Sequence, residues 1–354
     1  MTLRPDLVAF SVALLASLGL TVPVRRLALH YGMVDKPNAR KVHLKPIPLL
    51  GGVAIYLGFV LAMLVALHGV AKGQTIGILG GATLLALVGF LDDGGLLHHQ
   101  VKLFIGMPLA ALFLIASGIR ADIVTAFVPG PIGVALDVAL TVLFVVGITA
   151  SFSILDHMDG LCAGIAAIAA AFFAIAATVW GQTMVRILAL AALGAALGFL
   201  RWNFNPAKIF MGDGGAMLLG FLMATLGLKI HPPSAPFPGV WLVPILILGA
   251  PIFDTTLVTI SRSRRGLLPF TSPGKDHTAH RLSNLGFGHR NAVLALYLLA
   301  VVFGTFGILA ALFSGAVAYV LLAVAVGISL VAILYFEQVP FEHQAKVPKS
   351  SPTS

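Results

Sequence analysis

Asp213 lies in the stretch Asn203-Phe204-Asn205-Pro206-Ala207-Lys208-Ile209-Phe210-Met211-Gly212-Asp213-Gly214-Gly215, a short polar interruption between two apolar runs. Pro206 biases Asn205 away from helix, so the preceding helix is expected to stop near Trp202. Asp213 then falls at the start of the next helix, where its carboxylate is expected to cap free N–H groups in a place that also favours anions. A carboxylate and a phosphate share such a place only with a cation between them, and Mg2+ commonly bridges one or two carboxylates to substrate phosphates. A plain N-cap on a glycine-rich turn has the same sequence.

Other stretches carry acids of the same kind. Asp92 and Asp93 are adjacent at the end of an apolar run, with Lys102 following, and neighbouring carboxylates repel unless a cation or a shared proton relieves them. Asp156 and Asp159 are three apart and share a face if their segment is helical. Asp254 lies inside the apolar run Val240–Ile260, where an ionisable side chain is costly and marks a functional or paired site; a structural pair with a neighbouring helix is the first expectation.

Two segments are rich in cations. Ser261–Arg290 contains Arg262, Arg264, Arg265 and the run Asp276-His277-Thr278-Ala279-His280-Arg281. Arginine forks suit phosphate, and His277 and His280, three apart, suit a pyrophosphate or a metal. The segment after the first apolar run carries Lys36, Arg40, Lys41 and Lys45. It fits either topology control or docking of a phosphorylated lipid.

The elements that must position these residues are membrane helices. The chain of 354 residues is 59% hydrophobic and 10% charged, with a mean hydropathy of +1.02, which excludes an ordinary water-soluble fold. Apolar runs are expected to form helices at Leu7–Leu29, Gly52–Leu67, Thr75–Leu91, Val101–Ser117, Gly133–Ala150, Leu161–Val179, Met184–Leu200, Ala216–Leu228, Val240–Ile260, Ala292–Phe313 and Ala316–Tyr335. The expected fold is therefore all-α and polytopic, with about 11 transmembrane helices. The first run is expected to be a retained helix and not a cleaved signal.

An odd number of spans puts the termini on opposite sides. Seventeen of the 22 lysines and arginines fall on one face and five on the other, so the first face is expected to be cytoplasmic, with the N-terminus outside and the C-terminus inside. The net charge of +9 follows from that asymmetry and calls for no nucleic acid. Eight of the eleven aspartates fall on the cytoplasmic side, and Asp6, Asp122 and Asp137 do not. Cys162 is the one cysteine, so a disulfide within the chain is excluded.

Taken together, five stretches resemble the polyprenyl-phosphate N-acetylhexosamine-1-phosphate transferases, the MraY/WecA-like glycosyltransferase family 4. They are Val34-Asp35-Lys36-Pro37-Asn38 with Pro48 and Gly51-Gly52; Asp92-Asp93 with Lys102; Asp156 with Asp159-Gly160-Leu161; Asn203 through Asp213 to Gly220; and Asp276-His277 through Leu282. The resemblance implies transfer of a sugar-1-phosphate from a UDP-sugar to polyprenyl phosphate, releasing UMP, in the initiation of cell-envelope glycan synthesis at the bacterial plasma membrane. It implies Mg2+, with Mn2+ as a substitute, held by Asp213 with Ser153 as second ligand. Phe210 would stack on uracil, with Asn203 and Asp159 as further nucleotide contacts. Asp92 and Asp93 would lie near the acceptor phosphate, with Asp156 as a further catalytic acid. His277, His280, Arg264, Arg265 and Arg281 would hold the donor pyrophosphate, and Lys102, Arg40 and Lys41 the lipid phosphate. The partners implied are the UDP-sugar, polyprenyl phosphate and membrane lipid, with a homodimer as one assembly. Residues 1–336 would be one catalytic membrane domain and 337–354 a short polar cytoplasmic tail.

The sequence departs from the family pattern at Ser153, where Asn is usual, at His157, where Gly is usual, and at Ala279, where His is usual. The rival from another class is a proton- or cation-coupled transporter, which requires acids near the midplane on several helices and a trace of an internal repeat. A lipid-binding scaffold without catalysis is the third reading.

Overall fold

A computed structural model describes residues 4–35, 46–66, 72–231, 239–268, 274–313 and 315–339. Arg40 and Lys41 lie outside the described residues. Helices account for most of the described chain. In order they are α1 (Pro5–His30), α2 (Gly51–Ala66), α3 (Lys72–Asp93), α4, α5 (Pro131–Leu155), α6 (Leu161–Val179), α7 (Thr183–Asn203) and α8 (Gly212–Lys229). They continue with α9 (Leu242–Ile247), α10 (Gly249–Arg264), α11 (Thr278–Leu282), α12 (Gly288–Phe313) and α13 (Ala316–Phe336). Helix α4 is a single rod in which His99–Val101, a π-helical turn at Lys102–Gly106 and Met107–Ala116 follow without a break in helical dihedrals. Two short strands, β1 (Val34–Asp35) and β2 (Ile47–Pro48), pair antiparallel with Val34 opposite Pro48. Among the described residues, seven helical segments are long and apolar enough to cross a membrane, and Gly51–Ala66 and Lys102–Ala116 are shorter apolar helices. The protein is an all-α polytopic membrane protein.

Within the described residues each expected apolar run falls on helix, with one difference. Val240–Ile260 is broken at Leu248 (φ −90°, ψ 14°) into α9 and α10. Pro251 in the first turn of α10 cannot donate an N–H to the turn before it, and the missing bond favours a kink at this point.

The centre of the bundle is α8. Every one of its residues is buried except Asp213, as expected of a helix that is apolar on all sides. It packs against α2, α3, α5 and α6. Small residues allow that closeness: a Cβ on Gly89 of α3 would come within 2.1 Å of the Gly214 Cα. Such small-residue contacts are how helices associate in lipid, where no hydrophobic gradient drives them together. Around this core α1 lies along α7, whose alanines Ala189, Ala192, Ala195 and Ala196 are buried. The pair is tied by Ser17 Oγ donating to Ala195 O (2.8 Å) and Trp202 Nε1 donating to Leu18 O (3.0 Å). Large apolar side chains such as Leu15, Leu143, Leu298 and Val331 stay exposed, as an outer surface facing acyl chains requires.

The three aspartates expected away from the other acids have structural partners. Asp6 pairs with Arg186 (3.0 Å), Asp122 with Arg120 (3.0 Å), and Asp137 accepts the backbone N–H groups of Ile123, Val124 and Thr125. Glu337 accepts a hydrogen bond from Arg281 (3.0 Å), because that arginine is buried and needs a carboxylate.

Candidate active site

The C-terminal ends of α3 and α5, the π-turn of α4 and the N-terminus of α8 meet at one end of the bundle. Gly212, with φ +72°, makes the turn that starts α8. Asp213 does not cap that helix. The carboxylate of Asp93 does, accepting Asp213 N (2.8 Å) and Gly214 N (3.4 Å) from across the bundle. Both Asp93 oxygens thus face the start of α8, within the cluster that also holds Asp92 and Asp213.

Asp213 is thereby released to face the other acids. Its Oδ2 accepts Lys102 Nζ (2.5 Å) and its Oδ1 accepts Ser153 Oγ (3.0 Å). The same ammonium is 2.8 Å from Asp92 Oδ2, so Lys102 bridges the two carboxylates. Asp156 follows Ser153 at the end of α5. Burial, then the charges of Asp213, Asp93 and Asp159, pushes its carboxyl well above the usual carboxylate range. Hard oxygen donors under mutual repulsion suit Mg2+. Asp213 and Ser153 are the pair that would hold it, and the hydroxyl at Ser153 supplies the neutral oxygen where the family pattern has an amide.

The polar stretch before α8 is fixed from several sides. Phe210 N donates to Pro48 O (2.9 Å), and Gly51 N and Gly52 N donate to Phe210 O (2.9 Å) and Met211 O (2.8 Å). The Phe210 ring is left half-buried. Asp159 Oδ2 accepts Asn205 Nδ2 (3.1 Å) and Ala207 N (2.9 Å). Asn203 is 2% exposed; its amide accepts Gly160 N (3.0 Å) and donates to Ile209 O (3.0 Å). These bonds make Asn203 a brace of the loop, not an open nucleotide contact, because a buried amide must satisfy both its ends.

The histidines form a second cluster. His157 stacks on His277 with ring centroids 4.0 Å apart, and lies 4.9 Å from the His280 ring. Burial, with the neighbouring His277, pushes the His157 imidazole well below its ordinary value. His277 Nδ1 is 2.9 Å from Asp254 Oδ2. The paired site expected at Asp254 is therefore a histidine partner. His157 and Asp254 were not among the expected site residues. Asp254 had a signal, an acid in an apolar run, and His157 had one in its departure from the family's glycine.

The arginines divide. Arg281 is fully buried, donating to Asp276 O (2.9 Å), Ser261 Oγ (2.7 Å) and Phe336 O, so it struts the fold and is not presented to a diphosphate. Arg265 pairs with Asp276, which also takes Arg262 Nε (3.0 Å) and Nη2 (2.9 Å). Burial raises the Asp276 carboxyl, but the hydrogen bonds and charge of Arg262 and the hydrogen bond of Arg265 outweigh it and hold the group at about 2. Arg264 is largely exposed and reaches Glu337 at 3.4 Å.

A midplane relay of the kind a transporter needs is not what the described acids form, since Asp92, Asp93, Asp156 and Asp213 gather at one end. The sequence comparisons agree with an enzyme. The profile of glycosyl transferase family 4 matches residues 75–231. The chain is 38% identical, over 84% of its length and 82% of the relative's, to a probable undecaprenyl-phosphate N-acetylglucosaminyl 1-phosphate transferase of Bacillus subtilis (strain 168). It is 32% identical to the decaprenyl-phosphate N-acetylglucosaminephosphotransferase of Mycolicibacterium smegmatis over 78% of this chain and 74% of that one. With the undecaprenyl-phosphate alpha-N-acetylglucosaminyl 1-phosphate transferase of Escherichia coli O157:H7 it shares 29% identity over 81% and 78%. A buried helix that starts in a cluster of bridged carboxylates, on a chain matched along most of its length by phosphotransferases, makes this protein a membrane-embedded enzyme belonging to glycosyl transferase family 4.

Proposed function

We propose that the enzyme transfers an N-acetylhexosamine-1-phosphate, with N-acetylglucosamine-1-phosphate the first candidate, from the UDP-sugar to polyprenyl phosphate, releasing UMP. The observation that carries this reading is Lys102 bridging Asp92 and Asp213 beside Ser153, at the start of the central helix. The names of the relatives support the acceptor and the sugar.

Phosphoryl transfer asks chiefly for positioning and charge neutralisation. An anionic oxygen of the acceptor phosphate attacks the sugar-bearing phosphorus of the donor, the bond to the bridging oxygen breaks, and UMP leaves with that oxygen. No strong base is needed, which agrees with Asp93 being committed to α8. Mg2+ held by Asp213 and Ser153 would neutralise the diphosphate and stabilise the departing UMP. Lys102 meets the charge of the acceptor phosphate while Asp92 keeps its ammonium at the site. His277 and His280 donate hydrogen bonds to the donor diphosphate, and Phe210 covers the uracil face. Arg264 and Arg265 border that end of the bundle.

Incorporation of label from a panel of UDP-sugars into polyprenyl phosphate tests the reading, with product expected from UDP-N-acetylglucosamine. Phe210→Ala should weaken donor binding by about 1–3 kcal/mol, as base–aromatic stacking elsewhere implies. Unchanged donor affinity would return Phe210 to packing alone.

The site end is proposed to face the cytoplasm of a bacterial plasma membrane, since the basic residues crowd there. In a Cys162→Ala background, Leu96→Cys, Arg201→Cys and Leu268→Cys should react with an impermeant thiol reagent only from the cytoplasmic side, and Phe127→Cys only from outside. Those side chains are exposed at the two ends. Labelling of Leu96→Cys from outside would reverse the orientation.

A further inference from the structure

Asp254 is 1% exposed inside α10, a costly place for a carboxylate, and it spends both oxygens on the start of α11. Oδ1 accepts Thr278 N (2.8 Å) and Oδ2 lies 2.9 Å from His277 Nδ1. An imidazole bonded to a carboxylate through Nδ1 carries its proton there, and Nε2, across the ring, is turned away from the acid. One face of the same ring is covered by His157, stacked at 4.0 Å with 25° between planes. His157 is itself tied by Nδ1 to Ile154 O (3.2 Å), on the segment whose Ser153 donates to Asp213. His277 is therefore held at one edge by an acid and on one face by a ring that belongs to the same segment as Ser153.

Asp254, His157 and His277 also bring one ligand atom each within 4.8 Å of one another. A ring nitrogen's lone pair lies in the ring plane, and two rings that lie face to face cannot both point at one ion. The arrangement suits stacking better than a shared metal.

We propose that Asp254 and His157 are positioning residues for the transfer reaction: Asp254 fixes the Nδ1 proton of His277 so that Nε2 is presented to the donor diphosphate, and His157 keeps the ring from turning. This rests on the transferase reading. In Asp254→Asn one acceptor oxygen remains for two N–H groups: either the NH2 faces Nδ1 and moves the ring proton to Nε2, or Oδ1 keeps the Nδ1 proton and the bond from Thr278 N that holds the ring's own segment is lost. Either change alters what His277 offers to the donor.

A double-mutant cycle on UMP release tests it. Asp254→Asn should lower kcat by about 10–100-fold, the scale on which carboxylates that orient histidines act at metal sites, with a much smaller change in donor KM. Asp254→Asn with His277→Ala should be no slower than His277→Ala alone. His157→Phe, which keeps a ring face, should retain most of kcat where His157→Ala does not. Independent losses that multiply in the double variant would overturn the role of Asp254, and equal losses in His157→Phe and His157→Ala would overturn the role of His157. Nitrogen-15 spectra of histidine-labelled protein, with His277 assigned through His277→Gln, read the tautomer without any turnover. They should show an Nδ1-protonated ring that Asp254→Asn disturbs, and a ring protonated only at Nε2 in the parent protein would overturn the proposal. A parent protein that folds but transfers nothing would instead count against the transferase reading, while the spectra still decide the tautomer.

Discussion

Asp213→Asn is expected to cut turnover by several orders of magnitude while leaving the bundle folded. The cap of α8 belongs to Asp93, so the bonds from Asp213 N and Gly214 N to that carboxylate survive the substitution. Lys102 keeps Asp92 as its partner at 2.8 Å. What is lost is the negative charge that would hold Mg2+ against two phosphates, and a catalytic metal supplies several kcal/mol of transition-state stabilisation. Each ~1.4 kcal/mol is a factor of ten in rate. Turnover at saturating Mg2+, measured beside the melting temperature of the purified protein, checks this. A well-folded Asp213→Asn enzyme with near-normal, Mg2+-dependent turnover would remove Asp213 as the metal ligand.

The second large effect is expected at Asp93, and there the two substitutions should diverge. Asp93→Ala leaves two N–H groups at the start of α8 without their acceptor, which costs about 1 kcal/mol of stability. It also frees Asp213 to drift, and a misplacement of about 1 Å can cost roughly 100-fold in rate. Asn and Asp cap about equally well, so Asp93→Asn should keep an acceptor for Asp213 N and most of the turnover. A proton acceptor behaves otherwise: if Asp93 took a proton in the reaction, both variants would be equally inactive. Comparing kcat of the two at one pH decides between a clamp and a base.

How much of this could be read from the residues follows from where the information lies. Apolar run lengths fixed the helices, because satisfying the backbone within one segment is a local problem. The break at Leu248 had local signals in Pro244, Gly249 and Pro251, yet hydropathy alone ran straight through them. The acids of the site stood out because so few interrupt the apolar runs. Their division of labour did not, since the cap on α8 comes from a residue 120 positions earlier in the chain. The same limit applies to Asn203 and Arg281. Both are polar residues in polar stretches and look available until burial is known, and burial is decided by helices far away in sequence. The stacking of His157 on His277 depends likewise on two loops meeting, one after α5 and the other before α11.

The central claim, transfer of a sugar phosphate to a lipid phosphate at the Asp213 cluster, is tested most directly by UMP release from UDP-N-acetylglucosamine by the purified enzyme in detergent. Release should require polyprenyl phosphate, stop on chelation, return with Mg2+ and be matched mole for mole by lipid-linked sugar. Release that proceeds unchanged without the lipid acceptor, or with the metal chelated, would contradict the account.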